Sequence, residues 1–187
     1  MTAVAGELAR GRLIVLREKK LSDAEQDYEW RRDPELATFD AARPYGGSLK
    51  DYISVFGDEL RFPSPYRKTI GVEDHEGCHI GNVMYYNADF HRHEAEIGVT
   101  IGRREYWARG FGTDLLKTFI GYLFDSLSLD RIYLKTLDWN LRAQRCFENA
   151  GFEPYGTSRR GEYHFILMEV RRESFYAGED TADGSGD

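Results

Sequence analysis

The sequence predicts a single α/β domain with a mixed, mostly antiparallel sheet and helices on both faces. Two observations carry this. The segments read in order as β-α-α-β-β-β-α-β-α-β-β, with hairpin links between several strands and helical runs between others. The chain has 187 residues, 41% hydrophobic and 14% aromatic, with no repeat and no internal boundary, so one ordinary core is expected. Residues 1–175 form that domain. The last ten residues, "GEDTADGSGD", carry four acids and no base, so residues 176–187 read as an acidic, disordered tail.

Each element has a local reason. "RLIVLRE" (residues 12–18) alternates and is rich in branched side chains, which is a strand pattern. "LSDAEQDYEWRRDPEL" reads as a helix with Ser22 as its N-cap and Pro34 as its stop. "GGSLKDYISVFGDELRF" is a second helix capped by Ser48, with Leu49, Tyr52, Ile53, Phe56 and Leu60 at helical spacing and Pro63 and Pro65 beyond. Three strands follow, "YRKTIGVED", "HIGNVMYYNADF" and "HEAEIGVTIG", the first two joined by a turn at Gly77.

Residues 110–126 form a helix whose Leu115, Leu116, Phe119, Ile120, Leu123 and Phe124 lie on one stripe. "RIYLKTL" is a short strand, and "NLRAQRCFENAG" is a helix closed by Gly151. "FEPYGTSRRGEYHFILMEV" makes two last strands around Arg160 and Gly161.

Composition excludes several classes of function. A formal charge of −7 makes a poor general binder of nucleic acid, which needs a basic surface, and suits a cationic substrate better. No apolar run is long enough to span a bilayer, and the N-terminus meets Glu7 and Arg10 too early for a signal region. A cytoplasmic protein without membrane partners is expected. Cys78 and Cys146 are far apart and read as reduced thiols. His91 and His93 lack a third ligand nearby, so no metal site is expected.

The most informative stretch is "REYWARGFGTDLLKTFIGYLF", which places Gly110 and Gly112 at the start of a helix just after a strand. A helix start leaves about four backbone N–H groups without partners and carries about half a positive charge. Glycines there let an anion approach the backbone. Two spaced glycines are equally compatible with a tight turn or with close helix packing. The chain contains no G-x-x-x-x-G-K-[ST], and Leu115 stands where a dinucleotide fingerprint wants its third glycine.

A second motif lies 28 residues after Gly112. In "IYLKTLDWNLRAQRCFENAGF" a strand leads to Asn140 at a helix start, and the helix ends in Gly-Phe. Together with "WARGFG" this resembles the GNAT superfamily of acyl-coenzyme A-dependent N-acetyltransferases, over about residues 10–172. The branch it resembles most holds the ribosomal-protein N-terminal and spermidine acetyltransferases. The family patterns are Q/R-x-x-G-x-G/A and roughly N-x-x-A-x-x-x-Y-x-x-x-G-F.

The resemblance implies acetyl-coenzyme A as co-substrate. Backbone groups of Val99, Thr100 and Ile101 would pair with its pantetheine arm like an added strand. The amides of Ala108, Arg109, Gly110, Phe111, Gly112 and Thr113 would cradle its pyrophosphate. Asn140 would contact it near the thioester, with the helix bearing Phe147 alongside. Two positions depart from the pattern: Trp107 replaces Q/R, and Phe147 replaces the tyrosine taken as the acid for the leaving thiolate. Phenylalanine has no proton to give, which leaves Cys146, a water or no acid at all.

Attack on a thioester needs a neutral amine. An alkyl amine with a pKa near ~10.4 is neutral only about once in 10³ at pH 7, so a base is useful. Glu96, on the strand that feeds the glycine turn, is the candidate; its alternative is a carboxylate on a solvated sheet face. Tyr85, Tyr86 and Tyr106 either line an acceptor cleft or belong to the core. Trp30, Arg31 and Arg32 lie in helices that shape the acceptor pocket in this family. Arg31 and Arg32 either favour an acidic acceptor or form a charged helix face.

The function expected is acetyl transfer to a primary amine through a ternary complex. The acceptor would be a protein N-terminus, a polyamine or another small-molecule amine. The alternative is a coenzyme A-binding module or sensor with little or no catalysis, which Phe147 favours and Glu96→Gln would expose. Transfer of a longer acyl group is a third reading. The resemblance also implies a homodimer.

Overall fold

The computed structural model describes residues 6–183. Its strands are β1 (Glu7–Arg10), β2 (Ile14–Glu18), β3 (Lys68–Asp74), β4 (His79–Asp89), β5 (Glu94–Ile101), β6 (Arg131–Leu137), β7 (Glu153–Arg160) and β8 (Tyr163–Arg171). Its helices are α1 (Ala24–Arg32), α2 (Pro34–Phe39), α3 (Leu49–Arg61), α4 (Phe111–Leu127), α5 (Leu141–Asn149) and α6 (Arg172–Asp183). The strands form one sheet in the order β1-β2-β3-β4-β5-β6-β8-β7. Only β5 and β6 run parallel; every other neighbouring pair is antiparallel. This is the mixed α/β domain that the sequence predicts.

The core forms where α4 lies on the sheet. Its predicted stripe is fully buried, with Leu115, Phe119, Ile120, Leu123 and Phe124 at 0% exposure, against Ile14, Leu16, Ile70, Val72, Ala95 and Ile97. Each such side chain contributes about 1.5–3 kcal/mol of transfer free energy. Strand alternation then sends Glu96, Gly98 and Thr100 to the opposite face, where α1 packs. There, Asp27 of α1 accepts from Asn82 Nδ2 at 2.8 Å, and Asn82 is the register partner of Thr100.

A buried charge network fixes α1 to the strands. Arg17 donates to both carboxylate oxygens of Asp23 (2.7 and 2.9 Å) and to Glu73 (2.5 Å). Lys19 Nζ lies 2.6 Å from Asp27, which also meets His79 Nε2 at 3.0 Å. Gly71 makes room for it: a Cβ there would stand 2.3 Å from Arg17 Nη1.

Several local expectations are corrected. The first helix is not capped by Ser22. A tight turn at Leu21–Asp23 precedes α1, and the Asp23 carboxylate accepts from the Lys20 N–H at 2.8 Å. Pro34 does stop α1, which ends at Arg32, and it also starts α2, where Asp33 caps it by accepting from Glu35 N and Leu36 N. Proline needs no N–H at a first helical position.

The expected tail also begins too early. Phe175 is buried against Phe124, and the Tyr176 hydroxyl donates to Asp125 at 2.7 Å, so α6 carries the fold past residue 175. Residues 184–187 of that segment lie outside the described residues.

Candidate functional site

Strands β5 and β6 pair only at Glu94↔Arg131, Ala95↔Ile132 and Glu96↔Tyr133, and then separate. Strand β6 stays with β8 as far as Leu137↔Phe165, while β5 stays with β4 as far as Ile101↔Gly81. The result is a wedge that opens in the middle of the sheet. Antiparallel pairing alternates which residues face the neighbour. Gly102 N donates to Ile80 O at 3.0 Å, so Thr100 also faces β4, and Val99 and Ile101 face the wedge. Of the three backbone positions expected to hold a ligand arm, Thr100 is therefore turned away. Ile101 O already accepts from Trp107 Nε1 at 2.7 Å. The Trp107 ring is covered by the Arg142 guanidinium at 4.0 Å and met edgewise by Phe39 at 6.0 Å, which links the end of β5 to α5.

At the mouth of the wedge, α4 begins. Ala108 (φ 56°) and Gly110 (φ 85°) are both left-handed, and Gly110 is the N-cap of α4 with no side chain to close it. The first intrahelical bond is Asp114 N to Gly110 O, so the amides of Phe111, Gly112 and Thr113 precede it. Such a turn concentrates N–H dipoles on one point and suits an anion. Arg109 is exposed there, with Nη1 on Glu105 O at 2.9 Å.

The second glycine does different work. A Cβ on Gly112 would stand 2.9 Å from Cys146 Sγ, so this position lets α4 approach α5. Asp114 pins the same turn from below, accepting from Arg12 N (3.0 Å) and Leu13 N (2.7 Å).

Glu96 sits at the apex of the wedge and is 6% exposed. Oε1 accepts from Tyr86 (3.0 Å) and Lys135 Nζ (2.8 Å), and Oε2 accepts from Asn87 Nδ2 (3.1 Å). It is not a carboxylate on a solvated face. Burial, and then the Glu96 charge, push the Tyr86 hydroxyl well above its usual range. Burial, and then the charges of Glu96 and Glu94, also raise Tyr133. Asp40, at the end of α2, is exposed.

The other candidates disperse. Asn140 Oδ1 caps α5 by accepting from Ala143 N at 3.2 Å. Phe147 packs on Phe152 and carries no proton. Cys146 faces Gly112 and Thr113 Oγ1 (3.7 Å) at the start of α4, and burial pushes its thiol up. Tyr106 donates to Asp74 (2.7 Å) and Tyr85 is buried, so of these three tyrosines it is Tyr86 that meets Glu96. Trp30 packs on His79 (5.0 Å) and under Gly102, so it belongs to the scaffold. Among the described residues no group of three or more His, Cys, Asp or Glu could hold a metal ion, and no helix is long and apolar enough to cross a membrane.

Known proteins resemble this chain over most of its length. Residues 13–153 match the acetyltransferase (GNAT) domain model. The chain belongs to the GNAT acetyltransferase family.

The uncharacterized N-acetyltransferase p20 of Bacillus licheniformis is 27% identical over 148 residues, 78% of this chain and 82% of that protein. A kanamycin resistance protein of Rhizobium radiobacter is 34% identical over 79 residues, 42% of this chain and 73% of that protein. The Vibrio cholerae spermidine N-acetyltransferase solved with CoA and spermine superposes with a TM-score of 0.78 at 20% identity, covering 87% of this chain and 98% of that one.

GNAT enzymes use acetyl-coenzyme A, and this acetyltransferase has groups that suit it. Val99 and Ile101 offer backbone partners for the amides of a pantetheine arm. The uncapped start of α4 offers N–H groups for a pyrophosphate. Lys135, Tyr86 and Asn87 are the site residues that the sequence reading did not single out as partners of Glu96. Lys135 and Tyr133 are the alternation mates of Ile132 and Leu134 in "RIYLKTL", and that polar face was the available signal.

Proposed function

We propose that this enzyme acetylates a primary amine directly from acetyl-coenzyme A, with Glu96 as the base, working through a water. The observation that carries the reading is the position of Glu96, buried at the point where β5 and β6 part. Acetyl-coenzyme A supplies an activated thioester. The chain's part is to align it along Val99 and Ile101, to hold its phosphates on the amides from Ala108 to Thr113, and to take the proton released by the amine. Asn140 and the Phe147 face of α5 line the other side. Phe147 gives the leaving thiolate no proton, and a thiol with a pKa near ~8.5 leaves well enough without one.

The free thiols of Cys78 and Cys146 support a reducing, cytoplasmic setting. The exposed β7 supports a homodimer as the working form.

The test begins with a thermal melt, with and without acetyl-coenzyme A. A ligand at about 100 times its Kd stabilises the fold by about 2.7 kcal/mol, a shift of several degrees. Absence of a shift at millimolar acetyl-coenzyme A would remove this reading. With a shift in hand, thiol release is followed across a panel of primary amines.

A further inference from the structure

A groove of about 340 Å³ lies between the segment after α2 and the β7–β8 turn, lined by Ala41, Ala42, Arg43, Arg160, Glu162 and Tyr163, with Gly161 at the turn. It meets the far end of β6, four residues beyond Tyr133, the register partner of Glu96. Ala41 packs in one small cluster with Leu137, the last residue of β6, and with Phe165 and Tyr163. Lys135, two residues before Leu137 on the same strand, donates to Glu96, and the exposed Asp40 adjoins Ala41. One end of this path thus carries carboxylates and the other carries guanidinium groups.

The arginine end is built, and its charge is not neutralised. Arg160 donates through Nη2 to Ala41 O at 2.8 Å, and its guanidinium lies 5.6 Å from the Phe165 ring centroid, both partners being uncharged. Arg159 donates to Gly161 O, again a neutral acceptor. Among the described residues neither Arg43, Arg159 nor Arg160 forms an ion pair, even with Glu162 in the same turn. Arg131 shows the contrast, clasped between Glu94 and Glu169. Ala41, the residue Arg160 holds, has φ 49°, a conformation that alanine adopts only at some cost. A guanidinium fixed at one nitrogen keeps the rest of its fork for a planar anion.

This rests on the proposed amine transfer at Glu96 and names its acceptor. We infer that the acceptor is an amine that also bears a carboxylate, with the amine directed toward Asp40 and Glu96 and the carboxylate held by Arg160 and Arg43. A polyamine would bring cationic groups to the arginine end, where like charges repel.

The experiment measures thiol release by the full chain on matched amines. These are 4-aminobutanoate, butylamine and 1,4-diaminobutane, together with peptides that begin with Asp or Glu and their side-chain amide counterparts. A carboxylate member is expected to exceed its neutral and cationic counterparts at least 10-fold in kcat/KM, mostly through KM. Better turnover of the peptides than of the free amino acid identifies a protein N-terminus as the source of the carboxylate.

Arg160→Met and Arg43→Gln are each expected to shrink that ratio, and Arg160→Lys to restore part of it. Arg43 is exposed and without a hydrogen bond, so its variant reports on binding even if Arg160→Met fails to fold. Preference of the wild type for the diamine, or an unchanged ratio in Arg43→Gln and Arg160→Lys, overturns the inference. If acetyl-coenzyme A raises the melt but no amine releases thiol, the amine-transfer reading itself falls, and the acceptor assignment with it.

Discussion

Lys135 Nζ stands 2.8 Å from Glu96 Oε1, joining β6 to β5 at the point where the two strands separate. The pair holds the candidate base in place from across the opening. The Lys135 side chain is 40% exposed, so the bond adds at most about 1 kcal/mol to stability. Lys135→Met is therefore expected to melt within about 3 °C of the wild type and to lose about 10-fold in kcat/KM. Wild-type kcat/KM in that variant would mean that Glu96 needs no support from β6.

Glu96→Gln keeps the size of the side chain and its ability to accept from Tyr86, but removes the proton acceptor. Removal of a general base lowers the rate by about 10²–10⁴-fold. The melt shift given by acetyl-coenzyme A should stay, because the proposed co-substrate contacts lie on Val99, Ile101 and the start of α4. Undiminished turnover would take Glu96 out of the mechanism. Loss of the melt shift would make it part of the co-substrate site.

Gly112 and Cys146 form the second coupled pair. With a Cβ placed 2.9 Å from the sulfur, Gly112→Ala overpacks the α4–α5 contact, a change that costs about 1–3 kcal/mol. Removing the sulfur makes room again. Chemical denaturation of Gly112→Ala, Cys146→Ala and the double variant should give a favourable coupling of at least about 0.5 kcal/mol. Strict additivity would show that α5 simply moves aside.

Stability should fall in acid for an identifiable reason. Burial alone would raise the Asp23 carboxyl, but the Arg17 fork, the Lys20 N–H and Lys19 outweigh it and hold it at about 2, against an ordinary 3.8. The unfolded chain therefore takes up this proton first as the pH drops. The contribution is fully present above the ordinary value and disappears as the pH falls toward about 2. It amounts to about 2 kcal/mol. Asp27 is also lowered, by His79, Lys19 and Asn82 acting against its burial, and adds in the same direction. Urea midpoints should drop steeply between about pH 4 and pH 2. Asp23→Asn, which leaves Arg17 with one fewer charge, should lose about 3 kcal/mol at pH 7 and show a shallower acid limb. A wild-type midpoint level down to pH 2 would contradict this account.

What could be read from the sequence was whatever depends on neighbours along the chain. The α4 stripe, the Ser48 cap and the helix start at Asn140 all follow from local spacing, and each is found in the structure. What could not be read depends on partners far away. Gly112 looked like a ligand contact because nothing nearby in sequence points to Cys146. The direction of Thr100 follows from the register of β4, which no pattern within β5 encodes. Arg160 and Ala41 meet across the fold, so the groove they shape was invisible. Pro34 ends one helix and begins another, and the second role shows only through the Asp33 cap. α6 was hidden by its acidic composition, although Phe175 and Tyr176 anchor its start.

The three-residue seam between β5 and β6 has a mechanical consequence. Among the described residues, backbone pairing between the two halves of the sheet, β1 to β5 and β6 to β8, is confined to Glu94, Ala95 and Glu96. So short a seam is expected to open more readily than the long antiparallel pairings on either side of it. A molecule lying between the two halves acts as a rivet: it removes a motion of the whole protein while touching only a few of its residues. Slowed amide exchange would then appear in β6 and β8 as well as along β5, at positions the ligand never reaches.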